Sequence, residues 1–231
     1  MQNKFVVIFD LDDTLIDELE FVKSGLNAVT DYVYKHLQIN KEDFLNRLFF
    51  YLEKSRDKII DNALLDYSIF NKKLLKKCIS IYRLHKPQIK LKPEAKTLIK
   101  ELSKKKISLY IVTDGNKIVQ YNKIKALQIE PFFKQVFITY RFGKKHSKPS
   151  PYCFLKICKL EKVDPTKAIY IADNVQKDFV GIKPLGFKTI RIKQGQHKNI
   201  FINEAHEADY IVDGLNQINF KKIKAIFEKH L

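Results

Sequence analysis

Apolar residues follow two different rhythms along this chain. Near the start, Phe5, Val6, Val7, Ile8 and Phe9 form an unbroken run, rich in β-branched and aromatic residues, that ends abruptly in acid. Such a run predicts a buried parallel strand. From residue 18 to residue 86 the spacing changes to threes and fours: Val22, Leu26, Val29 and Val33, then Phe44, Leu48, Phe49 and Leu52, then Leu74, Cys78, Ile81 and Tyr82. Each set places one apolar stripe on a helix. Pro87 and Pro93 punctuate the end of this block, and Pro93 is placed to open a new helix.

Beyond it the short apolar runs return and alternate with helical patterns. Strands are expected over 107–112, 135–139, 168–172, 187–192 and 210–212, with helices starting near residues 117, 151 and 175 and a terminal helix over 215–230. Strands alternating with helices imply right-handed βαβ units and a parallel sheet covered on both sides. The all-helical block follows the first strand directly. Its simplest place is an insertion over the carboxyl edge of the sheet.

Composition narrows the class. At 231 residues the chain can bury one good core and a smaller second one. No stretch approaches the ~20 apolar residues of a membrane span. The first segment lacks a basic n-region and a cleavage site, so a cytoplasmic location is expected. Cys78, Cys153 and Cys158 are too few, and wrongly spaced, for a disulfide scaffold or a four-ligand zinc site; buried thiols are expected. The net charge of +17 invites nucleic-acid binding, but the excess is lysine, with arginine only at positions 47, 56, 83, 141 and 191. Arginine is the residue suited to bidentate phosphate and base readout, so specific nucleic-acid binding is not expected.

The candidate chemistry sits at strand ends, where open α/β sheets bind ligands. Asp10 and Asp12 leave the first strand two residues apart, in the segment Asp10-Leu11-Asp12-Asp13-Thr14. Alone, this could be a turn or the start of a helix. A paired-acid site suits one nucleophile, one proton carrier and a divalent cation. Thr113-Asp114-Gly115 ends a second strand with a hydroxyl and exposed N–H groups able to cradle phosphate oxygens. Lys148 is held between Ser147 and Pro149, with Pro151 close behind, so its ammonium is positioned. Asp173 and Asn174 close another strand, with Asp178 one helical turn on. Hard oxygen ligands clustered in this way suit Mg2+.

These four strand-end signals, in this order, resemble the four motifs of the haloacid dehalogenase superfamily: Asp-x-Asp-x-Thr, Thr-Asp-Gly, Lys-Pro and Asp-Asn-x-x-x-Asp. The resemblance implies an α/β fold, a Rossmann-like parallel sheet with helices on both faces and an inserted all-helical C1 cap. Residues 1–17 and 88–231 would be the catalytic core and 18–87 the cap. It further implies that Asp10 forms an aspartyl phosphate and that Asp12 is the general acid and base. Mg2+ would sit on Asp10, Asp173 and the Asp12 carbonyl, with Asp178 acting through water and Asn174 beside it. Thr113, Lys148 and the backbone of Leu11, Asp114 and Gly115 would hold the phosphoryl oxygens. Members of the dehalogenase branch have no acid at the position of Asp12 and use no metal. Ala172 departs from the glycine many relatives carry before the fourth-motif acid.

The expected function is therefore a Mg2+-dependent phosphatase for a small phosphorylated metabolite, such as a sugar phosphate or nucleoside monophosphate, in a monomer or homodimer. A phosphomutase, a nucleic-acid end phosphatase and an idle binding module remain the alternatives. Lys23, Arg47, Arg56 and Arg83 are candidate substrate contacts from the cap. The histidines at 36, 85, 146, 197, 206 and 230 show no metal spacing.

Overall fold

The computed structural model describes residues 5–228. The chain divides into two compact units, one made of residues 1–18 and 90–231 and the other of residues 19–89.

The larger unit is built on six parallel strands: β1 (Val6–Phe9), β2 (Ser108–Thr113), β3 (Gln135–Ile138), β4 (Ala168–Ala172), β5 (Lys188–Ile192) and β6 (Tyr210–Val212), in the order β3-β2-β1-β4-β5-β6. β1 lies centrally. Its four residues are all buried, as a strand covered on both faces requires. Alternate residues feed the two sides. Val6, Ile8, Tyr110, Val112, Ala168 and Tyr170 enter one cluster with Phe137, Phe154 and Phe179, and Val7 and Phe9 point the other way. At the start of β1, Phe5 stacks on Phe227 with ring centroids 4.7 Å apart.

Register decides what meets at the carboxyl edge. Phe9 lies opposite Ile111 of β2 and Ile171 of β4. The next residue, Asp10, donates its N–H to the Ile171 carbonyl at 2.9 Å. Asp10, Thr113 and Asp173 therefore emerge from three adjacent strands at nearly the same level.

Around the sheet run α5 (Pro93–Lys104), α6 (Lys117–Leu127), α7 (Tyr152–Glu161) and α8 (Phe220–Glu228). Pro93 is the first residue of α5, where its missing N–H has no partner to lose. Asn116 caps α6 by accepting the N–H groups of Ile118 and Val119.

Two expected elements differ. No helix starts near Val175: residues 174–182 fold as successive turns, followed by a short 3-10 turn at Lys183–Leu185. The Asp178 carboxylate accepts the Asn174 N–H at 2.8 Å, and Gly181 is pressed against the Pro149 carbonyl, so side chain and loop contacts replace the helical ladder. The terminal helix is also shorter, because a 3-10 turn at Leu215–Gln217 precedes α8. Residues 229–231, including His230, lie outside the described residues.

The smaller unit is all helical, from α1 (Glu18–Leu37) through α2 (Lys41–Lys54) and α3 (Ile59–Asp66) to α4 (Lys72–Leu84). Leu26, Val29 and Val33 pack on Phe44, Leu48, Ala63, Leu64 and Cys78 in a separate core. Asn40 and Asn71 cap α2 and α4 through their side chains. All three cysteines are buried and unpaired, and burial pushes their thiols up to about 11. They are inert packing groups. Among the described residues no helix is long and apolar enough to cross a membrane.

Candidate active site

The strand-end residues converge on one cavity of about 150 Å³, whose lining includes Asp10, Asp12, Thr113, Asp114, Lys148 and Asp173. Asp10, Asp173 and Asp178 are buried and offer carboxylate oxygens that lie within 4.8 Å of one another. Lys148 stands among them. Its Nζ is 2.9 Å from Asp10 Oδ1, 2.7 Å from Asp178 Oδ1 and 3.0 Å from the Tyr170 hydroxyl. The sequence spacing places Asp178 one helical turn beyond Asp173; it arrives instead on the turn that replaces that helix.

Burial sets the electrostatics. It pushes the Asp10 carboxyl up to about 7, with Lys148 pulling it back and Asp178 pushing it further. It likewise pushes Asp173 up to about 9, helped by Asp10 and Asp178. Burial works against the Lys148 ammonium too, but Asp10 and Asp178 outweigh it and hold its pKa well above that of an ordinary lysine. Burial also keeps Tyr170 a neutral phenol. Three buried acids around one lysine leave an excess of negative charge that a hard divalent cation is suited to balance. The donor set fits Mg2+.

Asp12 points elsewhere. Its Oδ1 is 2.6 Å from Lys123 Nζ and its Oδ2 accepts from Gln120 Nε2 at 2.8 Å. Gln120 also donates to the Thr113 hydroxyl at 2.6 Å. Asp12 is thus outside the carboxylate cluster, and only its backbone carbonyl is left as the metal donor expected from that residue.

Asp114 has a scaffolding part. Its carboxylate accepts from Thr139 Oγ1 at 2.6 Å and from the Lys148 N–H at 3.1 Å, and Lys177 Nζ lies 3.3 Å away. It therefore ties the end of β2 to the Lys148 loop, in which the Lys148–Pro149 peptide is cis. Gly115 follows in the turn, partly exposed, and Leu11 is fully buried, its carbonyl accepting from the N–H groups of Leu15 and Ile16.

Several neighbours carry no catalytic signal in the sequence. Asp13 adopts a left-handed backbone with φ +52°, which aspartate tolerates better than most residues. Its carboxylate accepts the N–H groups of Glu18 and Gln196, while Lys92 Nζ donates to its carbonyl at 2.9 Å. Gly195, at φ +66°, packs so closely that any side chain would overlap the Asp13 carboxylate. His197 follows on the same loop at the cavity, 2.9 Å from Asn174, and burial lowers its pKa below that of an ordinary histidine. Tyr170, Gln120 and Lys123 were equally unsignalled.

A parallel sheet that gathers carboxylates, a lysine and a threonine hydroxyl at its carboxyl edge has the build of a hydrolase that handles anionic substrates. The profile of the haloacid dehalogenase-like hydrolase family matches residues 7–192, and the chain belongs to that family. It is 29% identical to a glyceraldehyde 3-phosphate phosphatase of Pyrococcus furiosus over 92% of this chain and 90% of that one. It is 30% identical to the protein of the same name from Methanocaldococcus jannaschii, over 92% of this chain and 94% of the other. In fold it is similar to a 2-haloacid dehalogenase of Pseudomonas syringae, with a TM-score of 0.65 and 19% identity over 99% of this chain and all of that one.

Proposed function

We propose that this hydrolase is a Mg2+-dependent phosphatase that cleaves small phosphorylated metabolites through a covalent intermediate on Asp10. The observation that carries the reading is the buried contact of Asp10 with Lys148, beside Asp173 and Asp178. The phosphatase names of the relatives support it, and short sugar phosphates such as glyceraldehyde 3-phosphate are the first substrates to consider.

In this mechanism an Asp10 oxygen attacks phosphorus while the ester bond to the leaving oxygen breaks. Asp12 gives that oxygen its proton, then takes one from the water that hydrolyses the aspartyl phosphate. Thr113, Lys148 and the backbone of Leu11, Asp114 and Gly115 hold the phosphoryl oxygens. Asp10, Asp173 and the Asp12 carbonyl would hold Mg2+, with Asp178 acting through water and Asn174 beside it. The cation supplies charge neutralisation for the phosphoryl group. Asp12 also argues against dehalogenation, whose halide leaving group needs no proton.

The helical unit, inserted in the chain between β1 and β2, is proposed as the cap that selects substrate. Of its candidate contacts, Arg47 is already engaged with Asp66 at 3.3 Å and lies over the Phe50 ring. Lys23, Arg47, Arg56 and Arg83 are all exposed.

The test is a phosphate-release screen over sugar phosphates, nucleoside monophosphates and p-nitrophenyl phosphate, with Mg2+ and with EDTA. Release that depends on Mg2+ is expected. No release from any ester, or release indifferent to EDTA, overturns the reading.

A further inference from the structure

The buried face of α6 is unusual for a helix packed on a sheet, because two of its three buried residues, Gln120 and Lys123, are polar and only Ile124 is apolar. Lys123 is 2% exposed. Removing an ammonium from water costs several kcal/mol and is sustained only with a well-placed partner. The partner is the Asp12 carboxylate, at 2.6 Å.

The geometry is that of a clamp. Gln120 and Lys123 stand three residues apart, so both reach the same spot from one helix face. Lys123 takes Asp12 Oδ1 and Gln120 takes Oδ2, so neither oxygen can rotate away without breaking a bond. The second hydrogen of the same Gln120 amide goes to the Thr113 hydroxyl at 2.6 Å, which couples the ends of β1 and β2. Asp12 and Thr113 line the cavity, whereas Gln120 and Lys123 reach them from the side of α6. Neither clamp residue is placed to touch substrate.

We propose that Gln120 and Lys123 are positioning residues that hold Asp12 on the line of the leaving oxygen, so that Lys123 governs turnover of alkyl phosphates far more than of aryl phosphates. The inference rests on the phosphatase reading. As the bond from Asp10 to phosphorus forms, the ester bond breaks and its electron pair goes to the leaving oxygen. An alkoxide is a poor leaving group and must take the proton of a protonated Asp12 carboxyl to leave as an alcohol, which leaves Asp12 as the carboxylate that Lys123 and Gln120 hold. A p-nitrophenolate leaves as a stable anion and has no such need. A misaligned Asp12 therefore penalises one ester and spares the other.

The experiment compares kcat/KM, which reports the steps through phosphoryl transfer, for glyceraldehyde 3-phosphate and p-nitrophenyl phosphate in wild type, Lys123→Met and Gln120→Met. Methionine fills either site without charge. For Lys123→Met, a loss of about 100-fold on the alkyl ester is expected, against less than about fivefold on the aryl ester. Gln120→Met should show the same split, more weakly, and serves if the lysine variant does not fold. Equal losses on both esters, or none, overturn the inference. Crystal structures of the variants give a readout without turnover: Asp12 should leave its single rotamer, and an unmoved Asp12 overturns the clamp. A wild type inactive on both esters would instead defeat the phosphatase reading, with the Asp12 rotamer still deciding the clamp.

Discussion

Lys148 and Asp10, 138 residues apart in the chain, meet in a buried ion pair with Nζ and Oδ1 separated by 2.9 Å. The pair holds the proposed nucleophile in one place. It also offsets part of the charge that burial makes costly.

Asp10→Asn tests that role directly. The amide keeps the shape of the carboxylate and its contact with Lys148 but is a far weaker nucleophile. Turnover of p-nitrophenyl phosphate should fall by at least about 10³-fold. The melting temperature of the metal-free protein should hold or rise, because one buried charge has gone from a crowded cluster. Retained turnover would remove Asp10 from the chemistry.

The raised carboxyls predict how stability depends on pH and metal. Asp10 is pushed up to about 7 and Asp173 to about 9, both above their unfolded values. Without metal, the folded protein therefore binds more protons than the unfolded chain from about pH 4 to about pH 9. Their stabilising contribution is complete below that window and is lost as the pH rises through it. Mg2+ binds the ionised forms and should reverse the trend. Thermal melts in EDTA and in Mg2+, at mildly acidic and mildly alkaline pH, should show the larger metal stabilisation on the alkaline side. A larger effect at acid pH would contradict the assignment of these carboxylates to the metal.

Much of this site was legible because its residues directly follow apolar runs. Asp10, Thr113 and Asp173 close β1, β2 and β4, and parallel register then brings them level. What the sequence hides depends on partners distant along the chain. Gln120 and Lys123 look like a solvated helix face in a lysine-rich chain, and only Asp12 opposite them makes their burial sensible. Tyr170 looks like strand packing until its hydroxyl is seen against Lys148. Val175, Phe179 and Ile182 have the spacing of a helix and are all buried, yet the Asp178 carboxylate captures the Asn174 N–H and the segment folds as turns. Periodicity reports burial there and not backbone conformation.

Tyr170→Phe isolates the phenol's share in placing Lys148. The ring and its packing on Phe154 remain, while the hydroxyl contacts with Lys148 and the Val112 carbonyl are lost. A hydrogen bond of this kind contributes about 0.5–1.5 kcal/mol, so kcat should fall roughly 2- to 12-fold and stability by a similar free energy. Steady-state kinetics and denaturant unfolding of the same preparation check both. An unchanged kcat would show that the two carboxylates alone position the lysine.

Gly181→Ala probes the site from outside it. Gly181 is required by close approach, since a Cβ there would overlap the Pro149 carbonyl oxygen. Neither partner is a flexible side chain tip, so one of two backbone segments must move. One carries Lys148 and the other Asp178, and these two residues meet at 2.7 Å. Relief of the overlap therefore separates the ion pair. The cost of such overpacking is about 1–3 kcal/mol, visible as a lower melting temperature. Turnover should fall more than stability explains, because displacement of about 1 Å at a reacting group costs up to ~100-fold. Mg2+ should restore less stability to this variant than to wild type, because Asp178 no longer stands in register with Asp10 and Asp173. Normal turnover with a lowered melting temperature would show that the loop yields on the side away from Lys148.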